Sequence, residues 1–246
     1  MEEPRQHYPK APITEAVIDL RVNLPEKIVL GNLLEAYAEE KDRYPRRSKH
    51  FVFEGKMSAG ELVAASASQK EVGHVFMSQD GHQVFQAGLD GFSFSQLASY
   101  DRWETFSGEA RRLWGIYRSM AQPELIKRLA VRYINRIDIP LPVKDFKDYL
   151  RTLPEVSPEM DQGLSNFFMK LQIPRPEIKS TLVIQEAIIP PPNPSVVSIL
   201  LDIDLYREVD VPNEETKIWD FFEDLRKSKN QVFEACITDQ VRGLIV

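Results

Sequence analysis

From Ile13 to Val22 the chain alternates. Ala16, Ile18, Leu20 and Val22 take one side, and Glu15, Asp19 and Arg21 the other. Successive side chains of an extended segment point to opposite faces, so this pattern predicts a half-buried strand. The same period runs from Leu129 to Ile139, with Leu129, Val131, Tyr133, Ile137 and Ile139 against Arg132, Ile134, Arg136 and Asp138. It returns near the end of the chain, where Val197, Ile199, Leu201, Ile203 and Leu205 oppose Ser198, Leu200, Asp202, Asp204 and Tyr206. Asn135 is the odd residue on the apolar side of its strand. A buried amide costs free energy unless its hydrogen bonds are made, which favours an asparagine that ties its strand to a neighbouring element.

Other segments complete the outline. Pro25 opens a predicted helix, with Ile28, Leu30, Leu33, Leu34 and Tyr37 as its apolar stripe and Glu39, Glu40, Lys41 and Asp42 at its wet end. A loop at Tyr44, Pro45, Arg46, Arg47, Ser48 and Lys49 leads to short strands at 51–55, 62–69, 74–78, 83–87 and 92–96. Asp80-Gly81 and Asp90-Gly91 lie between alternating runs and predict hairpins. A helix from about Asp101 carries Trp103, Phe106, Ala110, Leu113, Trp114, Tyr117 and Met120 at helical spacing, with Pro123 past its end. In the second half, a short helix near 144–150 and a looser stretch with Pro154, Pro158 and Gly163 follow the strand 129–139. Strands at about 166–173, 181–189 and 196–206 come next, the last two joined by a proline-rich loop at 190–194. The chain closes in helix over about 214–241, with Trp219, Phe222, Leu225, Val232, Phe233, Cys236 and Ile237 as its apolar face and a break near 228–230.

Each half thus reads strand, helix, meander, helix, with 1–122 as one half and 123–246 as the other, within two domains or one continuous one. The expected class is α+β, a duplicated, curved and mostly antiparallel sheet with helices on one face. The order resembles the saddle fold of the TATA-binding protein and helix-grip ligand-binding folds. Those are likenesses of fold and carry no function.

Composition narrows the function classes. A formal net charge of −6 and a pI of about 5.4 disfavour a general nucleic-acid binder, which carries a basic footprint. One cysteine, Cys236, excludes an intramolecular disulfide and reads as a small buried thiol. The polar first residues lack the apolar core of a signal peptide, and no apolar run approaches membrane-spanning length. A soluble cytoplasmic protein without a cofactor is the expectation.

The polar sheet face is the leading candidate site. Arg132, Arg136, Asp138, Asp19, Arg21, Asp202 and Asp204 would share it, with Glu15 and Ser198 beside them. Three readings compete: cross-strand ion pairs, a surface for a protein or anionic ligand with arginines as bidentate donors, and a divalent-metal site at Asp202 and Asp204 for phosphoryl transfer. Arg43, Arg46, Arg47, Lys49 and His50, interleaved with Tyr44, Phe51 and Phe53, form the main basic cluster. It is either a phosphate-holding loop for nucleic acid or a solvated segment balancing the acidic helix end before it. His7, His50, His74 and His82 lack metal-ligand spacing, and no nucleophile elbow, GxGxxG or Walker pattern occurs. A non-enzymatic interaction module whose partner is another protein or a second copy fits best, ahead of nucleic-acid binding and of a metal-dependent enzyme.

Three phrases, 11–21 (Ala-Pro-Ile-Thr-Glu-Ala-Val-Ile-Asp-Leu-Arg), 132–138 (Arg-Tyr-Ile-Asn-Arg-Ile-Asp) and 233–239 (Phe-Glu-Ala-Cys-Ile-Thr-Asp), together resemble a sporadically distributed prokaryotic family of unknown function and similar length. The resemblance covers nearly the whole chain and brings no activity or catalytic residues. Such a patchy distribution would fit mobile elements or defence-associated gene clusters.

Overall fold

The computed structural model describes residues 8–58, 64–98, 100–157, 159–160 and 164–246. The N-terminal residues with His7, and Leu62, Val63, Pro158 and Gly163, lie outside them. The chain is α+β, a large and mostly antiparallel sheet of nine strands with four α-helices among the described residues. The strands are β1 (Ile13–Asn23), β2 (Arg46–Ser58), β3 (Ala64–Met77), β4 (Gln83–Gly88), β5 (Gly91–Leu97), β6 (Leu125–Pro140), β7 (Phe168–Arg175), β8 (Ser180–Ile189) and β9 (Val196–Arg207). The helices are α1 (Leu30–Ala36), α2 (Trp103–Ala121), α3 (Glu215–Cys236) and α4 (Asp239–Ile245). The sheet order is β2-β3-β4-β5-β1-β6-β9-β8-β7. By density of contacts the chain forms two compact units, 18–97 with 101–128, and 1–17 with 98–100 and 129–246. The division cuts β1 between Val17 and Ile18 and β6 between Arg128 and Leu129, and the expected halves 1–122 and 123–246 meet just after α2.

In the unit of 18–97 and 101–128, α1 and α2 pack on the meander β3-β4-β5. Aromatic rings fill the interface. Phe76 stacks on Phe85 at 4.5 Å, and Tyr37 and Tyr44 lean on Phe85 from above. Trp114 and Tyr117 cover Phe92. Tyr37 and Tyr117 are fully buried yet donate to the carbonyls of Leu113 and Gly88, so neither hydroxyl is stranded. Both hairpins form. At the first, Asp80 accepts from the Ser78 hydroxyl and the His82 amide while Gly81 takes a left-handed φ of 80°. At the second, Leu89 and Asp90 alone link Gly88 to its partner Gly91.

Three expectations about this unit need correction. The helix begins at Leu30, not Pro25, because Pro25 and Ile28 close a turn and Asn32 caps the amide of the extended Val29. Residues 46–49 are not a loop but the start of β2, paired residue by residue with β3 from Arg46↔Met77. Of the strands expected at 62–69 and 74–78, residues 64–69 and 74–77 belong to the single strand β3.

In the unit of 1–17, 98–100 and 129–246, α3 lies on one face of β6-β9-β8. Val131, Tyr133, Ile137 and Ile139 of β6, Leu182 and Ile184 of β8, and Ile199, Leu201, Ile203 and Leu205 of β9 are buried with Ile218, Phe222, Leu225, Val232 and Cys236 of α3. Strand β7 ends the sheet and carries Lys170 and Pro174. The short helix expected near 144–150 is one 3-10 turn, Phe146–Asp148. The break expected at 228–230 is absent. Ser228 and Lys229 are buried in a continuous α3, where packing overrides the weak helix propensity of serine and asparagine. The helix stops instead at Ile237, which turns extended and bridges Leu150.

Candidate functional site

The β6 and β9 registers bring five of the seven proposed contact residues onto one sheet face. Arg132 lies opposite Asp204, Ile134 opposite Asp202, and Asp138 opposite Ser198. Asp202 is held from two sides. Arg132 grips it bidentately, Nε to Oδ1 at 2.8 Å and Nη2 to Oδ2 at 2.6 Å, and the Gln185 amide donates to Oδ2 at 3.0 Å. The Asp202 side chain is only 3% exposed while Arg132 is 43% exposed, so the guanidinium is fixed underneath and open above. Hydrogen bonding to Asp202 raises the Arg132 pKa, and the charges of Asp202, Asp204 and Glu15 add to it. Arg136 donates to Asp138 at 2.9 Å, to the Ser198 hydroxyl at 3.0 Å and to the Pro190 carbonyl at 3.2 Å, and Ser198 donates to Asp138. Both arginines therefore meet carboxylate neighbours first, and both remain part of the surface.

Asp19 and Arg21 belong to the other unit. Arg21 binds Asp90 at 2.7 Å and Asp19 at 3.1 Å, and Arg128 binds Asp19 at 2.8 Å. The basic segment is similarly engaged. Arg43 pairs with Glu109, Lys49 pairs with Glu71, and Arg46 donates to the Ser78 and Gln79 carbonyls. Exposed pairs of this kind contribute little stability, roughly 0–1 kcal/mol each. Arg43 and Lys49 thus each have a carboxylate beside them, while Arg46 meets carbonyl oxygens. The His74 Nε2 lies 3.1 Å from the Leu30 carbonyl oxygen. At Asp202-x-Asp204, Asp202 has both oxygens taken by Arg132 and Gln185. Among the described residues no group of three or more His, Cys, Asp or Glu is placed to hold a metal ion.

A second polar group lies between α3 and the sheet. Lys229 is 8% exposed and sets its Nζ 3.7 Å above the Tyr133 ring. The Tyr133 and Tyr100 hydroxyls are 2.9 Å apart. Among the described residues Lys229 has no carboxylate partner and no hydrogen bond. A ring contact contributes about 1–2 kcal/mol toward the ammonium, against a desolvation penalty of several kcal/mol for a buried ion. Desolvation prevails, and with the nearby Arg226 charge it brings the Lys229 pKa down to about 7. Glu186 is the mirror case. It is fully buried on β8, facing the core beside Leu201 and Met169, and neither carboxyl oxygen has a hydrogen-bond partner. Burial alone pushes its pKa up to about 8. Its charge adds to the burial that raises the Cys236 thiol to about 11. Asn135, in the same cross-strand row as Leu201 and Glu186, donates to the Leu201 carbonyl at 3.0 Å, so it ties β6 to β9.

No protein-family model matches this chain, and no curated protein matches it.

The sequence did carry a signal for the buried groups. Leu182, Ile184 and Ile188 alternate on β8 with Glu186 in phase, and Lys229 falls on the stripe of Phe222, Leu225, Val232 and Cys236. Each charge sits where the period demands an apolar residue.

Proposed function

We propose that the chain is a non-enzymatic protein-binding module whose contact surface is the polar face of β6 and β9, centred on Arg132 and Arg136. The observation that carries this reading is the clamp on Asp202. A bidentate carboxylate below and a glutamine beside it hold the Arg132 guanidinium in one orientation, while its Nη1 makes no hydrogen bond among the described residues. A fixed, half-exposed guanidinium loses little freedom when it binds a partner's carboxylate or carbonyl. We further infer that the two halves are an internal duplication and that the chain belongs to the prokaryotic family whose phrases it resembles. Strand order supports the duplication. The last meander strand of each half returns beside the first, β5 next to β1 and β9 next to β6, and a long helix follows each time. The second half has one meander strand fewer, and its 3-10 turn at Phe146–Asp148 takes the position of α1.

Tagged chain expressed in its native host tests the surface. A photo-crosslinker at Thr181, whose β-pairing sets it on the face of Asp204, should capture the partner, and one at Lys227 on α3 should not. Arg132→Ala with Arg136→Ala, checked for folding by circular dichroism, should lose the partner. Unchanged recovery by the double variant, or capture only from Lys227, would place the contact elsewhere.

A further inference from the structure

Strand β2 lies at an end of the sheet order, with β3 as its one strand neighbour among the described residues. An edge strand leaves half of its backbone groups unpaired, and the register says which. Ser78 donates its amide to the Gln83 carbonyl, so Ser78 and, by alternation, Phe76 and His74 direct their backbone groups to β4. Met77 and Val75 then bond Arg46 and Ser48, which leaves the amides and carbonyls of Arg47 and Lys49 pointing away from β3. Residues 46–49 are exposed, and β2 contains no proline, so every outward amide is present.

Charge selects what fits beside this edge. In a chain of net charge −6, residues 46–52 of β2 and 69–77 of β3 hold Arg46, Arg47, Lys49 and Lys70 against Glu71 alone. The Arg47 side chain makes no ion pair or hydrogen bond among the described residues. Lys49 meets Glu71 at 2.7 Å but is 62% exposed, and an exposed pair exchanges readily for another carboxylate. Arg47 and Lys49 are two apart on the strand and share a face. A second copy docked edge to edge would set Arg47 against its own copy or against Lys49, a repulsive pairing. A phosphate backbone accepts hydrogen bonds but donates none, so the outward carbonyls would stay unpaired.

We propose that the β2 edge at 46–49 docks an extended acidic segment of another protein, added to the sheet as a further strand. Its backbone alternates donors with acceptors to match Arg47 and Lys49, and carboxylates at alternate positions lie beside their side chains.

The test uses the full chain, labelled with nitrogen-15, and a fluorescein-labelled peptide of alternating glutamate and threonine. Fluorescence anisotropy should rise on binding, with affinity falling severalfold as salt is raised. The Arg47 and Lys49 amides should exchange severalfold more slowly with the peptide bound. A peptide with lysine in place of glutamate should not bind. The acidic peptide with every amide N-methylated keeps its charge but cannot donate, and it should bind severalfold more weakly. Arg47→Glu should lose the acidic peptide, and exchange in the unmutated chain gives a result whether or not that variant folds. No anisotropy change up to saturating peptide, no slowing at Arg47 and Lys49, or equal binding of the N-methylated peptide would overturn the proposal. So would a single-stranded DNA oligomer that binds more tightly than the peptide and displaces it, which would assign the cluster to phosphate.

Discussion

Glu186→Gln turns the buried carboxyl of β8 into a direct measurement. In the folded chain Glu186 holds its proton up to about pH 8, against an ordinary value of 4.5. The folded state therefore binds more protons than the unfolded state between those two values. Stability from this group is complete below pH 4.5, declines as pH rises through the window, and levels off above about 8. At roughly 1.4 kcal/mol per pH unit, the loss is about 3 kcal/mol by pH 7 and approaches 5 kcal/mol above pH 8. Glutamine has nearly the same shape and an equally unpaired polar head, whose cost of about 1–3 kcal/mol does not vary with pH. The variant should be close to the unmutated chain at pH 4.5 and pull ahead by several kcal/mol at pH 8.5. Native-state hydrogen exchange of β8 and β9 amides reads this locally, with rates corrected for the intrinsic pH effect. Parallel pH profiles for the two proteins would mean that Glu186 is not held neutral in the folded chain.

Three further outcomes follow. Lys229→Met should stabilise α3 against exchange at pH 7 by about 3–5 kcal/mol, with the advantage vanishing above pH 10.5, because the folded amine takes up its proton only near pH 7. A constant difference across that range would contradict the lowered pKa. Arg132→Ala should cost about 2–3 kcal/mol in urea denaturation, since Asp202 is left buried with Gln185 alone, and adding Asp202→Ala should recover most of it. A pair of additive losses would deny the clamp. Gly91→Ala should destabilise the β5–β1 pairing by at least about 2 kcal/mol, because the new Cβ would lie 2.3 Å from the Leu20 carbonyl oxygen; a neutral effect on the melting temperature would show that the strands can part.

Much of the sheet was legible because its signal is local. The alternation of β1, β6 and β9 assigns each side chain a face without knowledge of the partner strand, and Asp80-Gly81 and Asp90-Gly91 mark two-stranded returns by chemistry alone. Helix α2 was equally plain, since Trp103, Phe106, Ala110, Leu113, Trp114 and Tyr117 repeat at one period and are all buried. What escaped depends on contacts distant in sequence. Pro25 favours a helix start, yet a turn to Ile28 intervenes. Arg46 and Arg47 look like loop residues until β3 pairs with them. Glu186 and Lys229 are core positions by phase and surface residues by type, and only packing decides that phase prevails. Which guanidinium grips which carboxylate also needed the register, because Arg132 crosses from its direct neighbour Asp204 to Asp202.

Strand β7 closes one margin of the sheet, and its outward backbone groups are a template onto which any extended chain could zip. Phe168 and Ile173 are exposed along it. Lys170 and Pro174 act as gatekeepers. Proline offers no amide to an incoming ladder, and the lysine must shed its hydration before another strand can lie alongside. The margin is thus guarded against runaway polymerisation by two residues, and a Pro174→Val chain would be the form in which concentration alone begins to drive fibre-like growth.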